Sequence, residues 1–254
     1  MKLNVKKTLI ALVNAAIAVY LLLAVTAFNR PDDKATVCTE VHINIANESE
    51  DGFLTTAEVK RLLERQRQYP LAQPMQFVST RKMEEVLRQN PYVESVECYK
   101  TQNGHIRIEL TQRRPVLHIL ADNGDNYYVD AHGGVLPYTR LGCNLLVATG
   151  RISRSYAQKR LAPIATQIAA DRFWEQQTEQ LNVLSDGTLE LIPRVGDHVV
   201  YLGAPRDIPH KLGRVSKFYK YGLSHAGWDR YERINVEFDN QIICKRRSKS
   251  RTRQ

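Results

Sequence analysis

The 254-residue chain is short of the usual signatures of chemistry. It contains no H-E-x-x-H, no G-x-S-x-G, no phosphate-binding P-loop and no dinucleotide glycine fingerprint. Seven histidines are present, none at a familiar metal-ligand spacing, and His42 and His105 fall on polar strand faces where solvation is their simplest role. Cys38, Cys98, Cys143 and Cys244 lie far apart and form no C-x-x-C pair. That excludes a zinc ribbon, and with three possible connectivities the sequence selects no disulfide. Small buried hydrophobes is the simpler reading of the cysteines. No metal, cofactor or enzymatic activity is expected, and Asp130, the most tempting carboxylate, is equally explained by capping the Gly133-Gly134 turn.

A folded basic face is also missing. The net charge is +9, but Lys245, Arg246, Arg247, Lys249, Arg251 and Arg253 supply six of those charges from the last ten residues. Only +3 remains for everything else, which argues against nucleic acid as a partner. Long apolar runs are scarce as well, with a single exception. Thr8 to Phe28 reads TLIALVNAAIAVYLLLAVTAF and carries no charge. As a helix, about 21 residues rising 1.5 Å each span roughly 30 Å, the thickness of a bilayer's hydrocarbon core. The core of a cleavable signal peptide is shorter, about 7–15 residues, so an uncleaved anchor is expected despite a small-residue site at Val25-Thr26-Ala27. Lys2, Lys6 and Lys7 precede the run, which keeps residues 1–7 in the cytoplasm and exports the rest.

Beyond the anchor the composition, 43% hydrophobic and 25% charged, is that of an ordinary globular chain with enough length for one large or two small domains. Residues 37 to 45, VCTEVHINI, alternate with Val37, Thr39, Val41, Ile43 and Ile45 on one face, a half-buried strand. A helix capped by Thr55 or Thr56 follows, with Val59, Leu62 and Leu63 as its apolar stripe. A second begins near Ser79-Thr80, buries Met83, Val86 and Leu87, and stops before Asn90-Pro91. VESVECYK and HIRIEL then flank Thr101-Gln102-Asn103-Gly104 as a hairpin. A two-residue loop would waste the apolar face. A three-residue loop with left-handed Gly104 instead sets Val96, Cys98 and Lys100 opposite Leu110, Ile108 and Ile106.

Strand, helix, helix, strand, strand, directly after an export anchor, resembles a POTRA domain. That resemblance makes the hairpin's first strand a sheet edge able to accept a partner strand, with Tyr92, Val93 and Val96 along it. Downstream, Arg113-Arg114-Pro115-Val116, then Tyr127-Tyr128-Val129-Asp130, a Gly turn and Leu136-Pro137 are similar to the FtsQ/DivIB family of cell-division proteins. Leu145–Gly150 resembles that family's next segment. A helix is expected over Tyr156–Ala170, starting or kinking at Pro163, followed by an antiparallel meander at 180–184, 188–193 and 198–202. A helix over Pro209–Tyr221 and a closing hairpin, Ile234–Phe238 and Gln241–Lys245 about Asp239-Asn240, complete the family's order.

The expected fold is therefore α+β: cytoplasmic tail 1–7, transmembrane helix 8–28, POTRA-like β-α-α-β-β module 37–112, mainly antiparallel β domain 113–245 with two flanking helices, and disordered basic tail 246–254. The resemblance implies a non-enzymatic scaffold in the inner membrane at the midcell septum. Its periplasmic part would bind FtsB- and FtsL-like division proteins and help control septal peptidoglycan synthesis. A POTRA-type chaperone or translocation module is the alternative; that class ends in a membrane β-barrel, and no series of ten-residue strands is seen here. The last strand of an open sheet offers unpaired backbone groups, so partner contact is expected at Phe238, Gln241 and Ile242, with Ile234 and Val236 on the same hairpin. Phe173, Trp174, Trp228 and Tyr231 are expected chiefly as core fillers.

Overall fold

The computed structural model describes residues 5–28, 36–46, 53–139 and 145–247, and within the first helix the side chains of residues 12–24. Cys143 and residues 248–254 of the basic tail lie outside the described residues. Helix α1 runs Val5–Phe28, 24 residues. Its described apolar side chains point to solvent on all sides, Leu12, Val13, Ile17, Val19 and Tyr20 each more than half exposed. Among the residues described with their side chains, no helix is long and apolar enough to cross a membrane.

Two compact units follow by contact. The first is built on a three-stranded sheet, β1 (Glu40–Ala46), β2 (Val93–Lys100) and β3 (His105–Gln112), in the order β1-β3-β2. Thr39 N–H donates to Gly104 O at 3.2 Å and Asn44 Nδ2 to Glu109 Oε2 at 2.7 Å. Both bonds join residues 65 apart, so β1 runs parallel to β3 with Glu40 level with His105. The parallel pairing is possible because α2 (Thr56–Arg65) and α3 (Thr80–Arg88) carry the chain back between the strands. They bury Val59, Leu63, Met83 and Leu87, while Val96, Cys98, Ile106, Ile108 and Leu110 form the buried face of the sheet. Leu62 and Val86, read as part of the helix stripes, are only half-buried.

β1 starts later than its alternation suggests. Val37 is exposed and Cys38 is buried, the reverse of the sequence pattern. Cys38 N–H bonds Gln73 O, Ala72 N–H bonds Cys38 O, and Met75 N–H bonds Thr36 O. Pairing with the 72–75 loop, and not with the sheet, sets which side residues 36–38 present. At the hairpin, Thr101 N–H bonds His105 O at 2.9 Å and Gly104 N–H bonds Thr101 O. Residues 102–104 form the loop and Gly104 has φ +75°. That is a left-handed conformation a side chain resists.

The second unit holds nine strands in the order β12-β11-β10-β9-β8-β7-β4-β5-β6. They are β4 (Pro115–Ala121), β5 (Asn126–Asp130), β6 (Val135–Pro137), β7 (Leu146–Gly150), β8 (Thr178–Val183), β9 (Leu189–Pro193), β10 (Val199–Gly203), β11 (Tyr231–Asn235) and β12 (Ile243–Arg246). Most neighbours are antiparallel, but β4–β7, β7–β8 and β10–β11 are parallel. The meander expected over 180–184, 188–193 and 198–202 is present as the antiparallel run β8-β9-β10, and the parallel pairs lie on either side of it. The helices between β7 and β8, and between β10 and β11, return the chain to the same end of the sheet, which is what a parallel neighbour requires.

Local chemistry places those helices. Ser153 Oγ accepts from Tyr156 N–H at the start of α4 (Arg154–Tyr156). A π-helical turn over Ala157–Leu161 leads into α5 (Ala162–Ala170). Leu161 and Ala162 keep right-handed helical backbone, so the helix continues through the π-helical turn and Pro163 stands just after it, inside a continuous helical stretch. Asp171 Oδ1 accepts from Phe173 and Trp174 N–H and caps α6 (Arg172–Gln177). α7 (Ile208–Phe218) follows β10. Ile164, Ile168, Trp174, Leu212 and Val215 pack with Leu117, Ile119, Leu181, Leu191, Val200 and Ile234 into one core. Trp174 is core; Phe173 is exposed; Trp228 and Tyr231 are half-buried against Tyr219 and Phe218 respectively. Cys38, Cys98 and Cys244 are free, and burial pushes the Cys98 thiol up to about 12, leaving it protonated and unreactive.

His198 is buried, with Nε2 2.7 Å from Tyr219 Oη. Burial first, and the Arg247 cation second, hold its pKa below the ordinary histidine value. The neutral form is therefore the folded form. Below about pH 6.5 the unfolded chain takes up a proton that the folded chain refuses, so stability present above that pH is lost as pH falls toward the folded pKa. The melting temperature should drop between pH 7.5 and 5.5, and His198→Phe should flatten that drop. An equal slope in both proteins would exclude His198 as its source. Glu84, whose pKa is lowered chiefly by the Cys98 N–H, acts in the separate, more acidic carboxylate window.

Candidate protein-binding edge

Concave sites offer little chemistry. A cleft of about 480 Å³ is lined by Pro115, Val116, Leu146, Ile168, Glu175 and Arg194 among others, without a nucleophile beside a base. A smaller one contains Asp130, whose Oδ1 accepts from His132 N–H at 2.9 Å and Gly134 N–H at 2.6 Å. Arg113 Nη1 lies 3.4 Å from its other oxygen. Asp130 fixes a turn and a strand junction, and its oxygens are used in doing so.

The edges of the sheets are more informative. β2 is the free edge of the three-stranded sheet, but α3 covers part of it. Cys98 N–H donates to Glu84 Oε1 at 2.9 Å, and Arg88 Nη2 donates to Val96 O at 3.2 Å. Tyr92, Val93 and Val96, expected along a docking edge, are 6%, 4% and 2% exposed. Tyr92 stacks on Phe53 and donates its hydroxyl to Pro137 O. Those three side chains are core.

β12 ends the nine-stranded sheet and, among the described residues, pairs only with β11, Ile234 opposite Cys244 and Asn235 opposite Ile243. The hairpin is shorter and its loop wider than the sequence pattern suggests, because β11 ends at Asn235. Val236 N–H then bonds Tyr201 O on β10, so the chain leaves the β12 ladder there. Arg214 on α7 holds the loop by two bonds, Nη1 to Val236 O at 3.2 Å and Nη2 to Gln241 O at 2.7 Å. Glu237 N–H bonds Asn235 Oδ1 at 2.9 Å.

This bracing sorts the expected contact residues. Ile234 and Val236 are wholly buried and belong to the core. Ile242 is half-buried against that core, and Gln241 is exposed with its carbonyl engaged by Arg214. Phe238 stands out of the loop, 49% exposed. Ile243, on β12 itself, is 47% exposed and was not singled out from sequence. The adjacent pair Ile242-Ile243 held the signal, since neighbours on a strand face opposite ways. Arg214, 27 residues before Gln241, could be found only by folding.

Compared with known families, residues 114–245 match the model described as FtsQ/DivIB, C-terminal related, and residues 36–111 match a POTRA-like domain. The chain belongs to the FtsQ/DivIB family. Compared with individually curated proteins, it finds no match. Its two matched domains point to a scaffold role in cell division, carried by protein–protein contacts. For an FtsQ/DivIB-family protein the exposed end strand β12, flanked by Phe238 and Ile243, is a more telling feature than either cleft. The rim is basic: Lys245 and Arg246 are exposed, Lys245 Nζ meets Glu232 at 2.5 Å, and Arg247 pairs with Asp197 at 3.0 Å. Arg246 and Arg247, read from sequence as the start of a loose tail, are part of this edge, Arg246 in β12 and Arg247 N–H bonded to Arg230 O.

Proposed function

We propose that this FtsQ/DivIB-family protein is a non-enzymatic, single-pass scaffold of the division septum whose partner adds a strand to β12. The observation that carries the reading is the outer edge of β12, unpaired among the described residues, with Ile243 exposed on it and Phe238 exposed in the adjoining loop. Backbone groups on such an edge supply affinity, and the flanking apolar side chains supply specificity. FtsB- and FtsL-like proteins are the proposed partners, and the basic rim favours an acidic partner strand. Thr8–Phe28 is the proposed membrane span, its apolar surface on all sides suiting lipid, with residues 1–7 cytoplasmic and the POTRA-like and β domains, 37–112 and 113–245, periplasmic.

A fluorescent fusion at the N-terminus tests the reading. It should form midcell rings in dividing cells, and protease added to spheroplasts should digest residues beyond 37. Uniform envelope fluorescence, or a protected C-terminal half, would overturn it.

A further inference from the structure

We infer that Glu40, His42 and His105 form a binding site for a divalent transition-metal ion, Zn²⁺ being the reference case. Sequence spacing does not suggest it, because His105 lies far along the chain and the other two are merely alternate residues of one strand. The fold assembles them. β1 lies parallel to β3 with Glu40 level with His105, and His42 is the next residue on the same face of β1. His42 Nε2 is 3.2 Å from Glu40 Oε2, and His105 Nδ1 is 3.7 Å from the same oxygen. The three ligand atoms all lie within 4.8 Å of one another.

The geometry suits a metal. With metal–ligand bonds of about 2.0–2.2 Å in a tetrahedral arrangement, neighbouring ligand atoms stand about 3.4 Å apart. Two of the separations, 3.2 and 3.7 Å, already bracket that value, and the third is no more than 4.8 Å. The rings do not stack, their planes being 45° apart with centroids at 5.8 Å, so the nitrogens are what converge. Glu40's ion pairs among the described residues are both with these imidazoles. A carboxylate facing two imidazole nitrogens is a ligand set, and two imidazoles select for zinc-like ions over magnesium or calcium. The remaining coordination position is open to water or to a donor from a partner. Bound metal would join β1 to β3 and so favour the folded sheet.

The test uses the full chain in detergent, titrated with Zn²⁺ in competition with a chromogenic chelator. One equivalent should bind saturably, unaffected by excess Mg²⁺, and raise the melting temperature. His42→Ala and His105→Ala should each weaken binding at least tenfold, on the scale known for lost metal-site support, and Glu40→Gln should weaken it too. Glu40 and His42 are exposed and His105 is half-buried, so metal-free melting temperatures should stay near the parent's, least closely for His105→Ala. A second readout needs no variant: Zn²⁺ should shift the imidazole nitrogen resonances of His42 and His105 in the unmodified chain. Absence of saturable binding, equal affinity in the variants, or shifts confined to other histidines would overturn the site.

Discussion

Replacing Phe238 and Ile243 together by alanine should weaken binding of an FtsB-like partner by at least 100-fold while leaving the melting temperature nearly unchanged. Anchor residues at the centre of an interface each contribute about 2 kcal/mol or more when truncated, and each 1.4 kcal/mol is tenfold in affinity. Both side chains are about half exposed, 49% and 47%, so in the free protein they support little packing. Exposed substitutions of this kind usually move stability by no more than about 0.5 kcal/mol. Ile234→Ala is the contrast: that side chain is wholly buried, and its loss should cost about 2–5 kcal/mol of stability before binding is considered. Titrating the partner against each purified variant, with a melting curve for each, separates the cases. Unchanged affinity in the double variant would remove β12 as the docking edge. The next edge to examine would then be β2, which Glu84→Ala and Arg88→Ala should open by releasing Cys98 N–H and Val96 O.

Gly150→Val should strongly destabilise the β domain. Gly150 closes β7, where that strand runs parallel to both β4 and β8. Its φ is +97°, outside the range open to a β-branched residue. A Cβ there would stand 2.2 Å from Val183 O and 2.8 Å from Asn182 Oδ1. Neither the backbone oxygen nor the strand behind it can swing away, because Arg151 N–H bonds Val183 O at 3.0 Å and Asp122 N–H bonds Gly150 O at 3.0 Å. Backbone strain alone costs about 1–3 kcal/mol. Breaking the β7–β8 ladder adds to it, so a loss of about 3 kcal/mol or more is expected, read as a lower denaturant midpoint. A midpoint within experimental error of the parent's would mean the strand ends do not meet as described. Gly124, whose Cβ would meet nothing within 4 Å, is the matched control. Its φ is +87°, so Gly124→Val carries strain without collision.

Local signals in the sequence reached a definite depth. Period-two alternation in VESVECYK and HIRIEL, with Asn-Gly between them, contains enough to locate β2 and β3. A pleated strand with one buried face leaves no other way to hide Val96, Ile106, Ile108 and Leu110. Helical spacing located α2, α3, α5 and α7, and the succession of these elements carried the family resemblance. Alternation misled at Val37, because residues 36–38 pair with the 72–75 loop and take their sidedness from that partner. The POTRA resemblance, for its part, set Tyr92, Val93 and Val96 along an accepting edge, yet all three are buried, since a strand at an edge can still bury every inward side chain.

By itself, then, the sequence determined the elements, the apolar character of Thr8–Phe28 and the scarcity of catalytic motifs, because these depend on residues within a few positions of one another. Tertiary structure alone decided which strands are neighbours and which of them parallel, that α3 covers part of β2 while β12 stays open among the described residues, and that Arg214 braces the loop presenting Phe238. It also brought His105 beside Glu40 and His42. Each of those facts joins residues separated by tens of positions. Their proximity is set by helices returning the chain across a sheet, and no local period of the sequence encodes it.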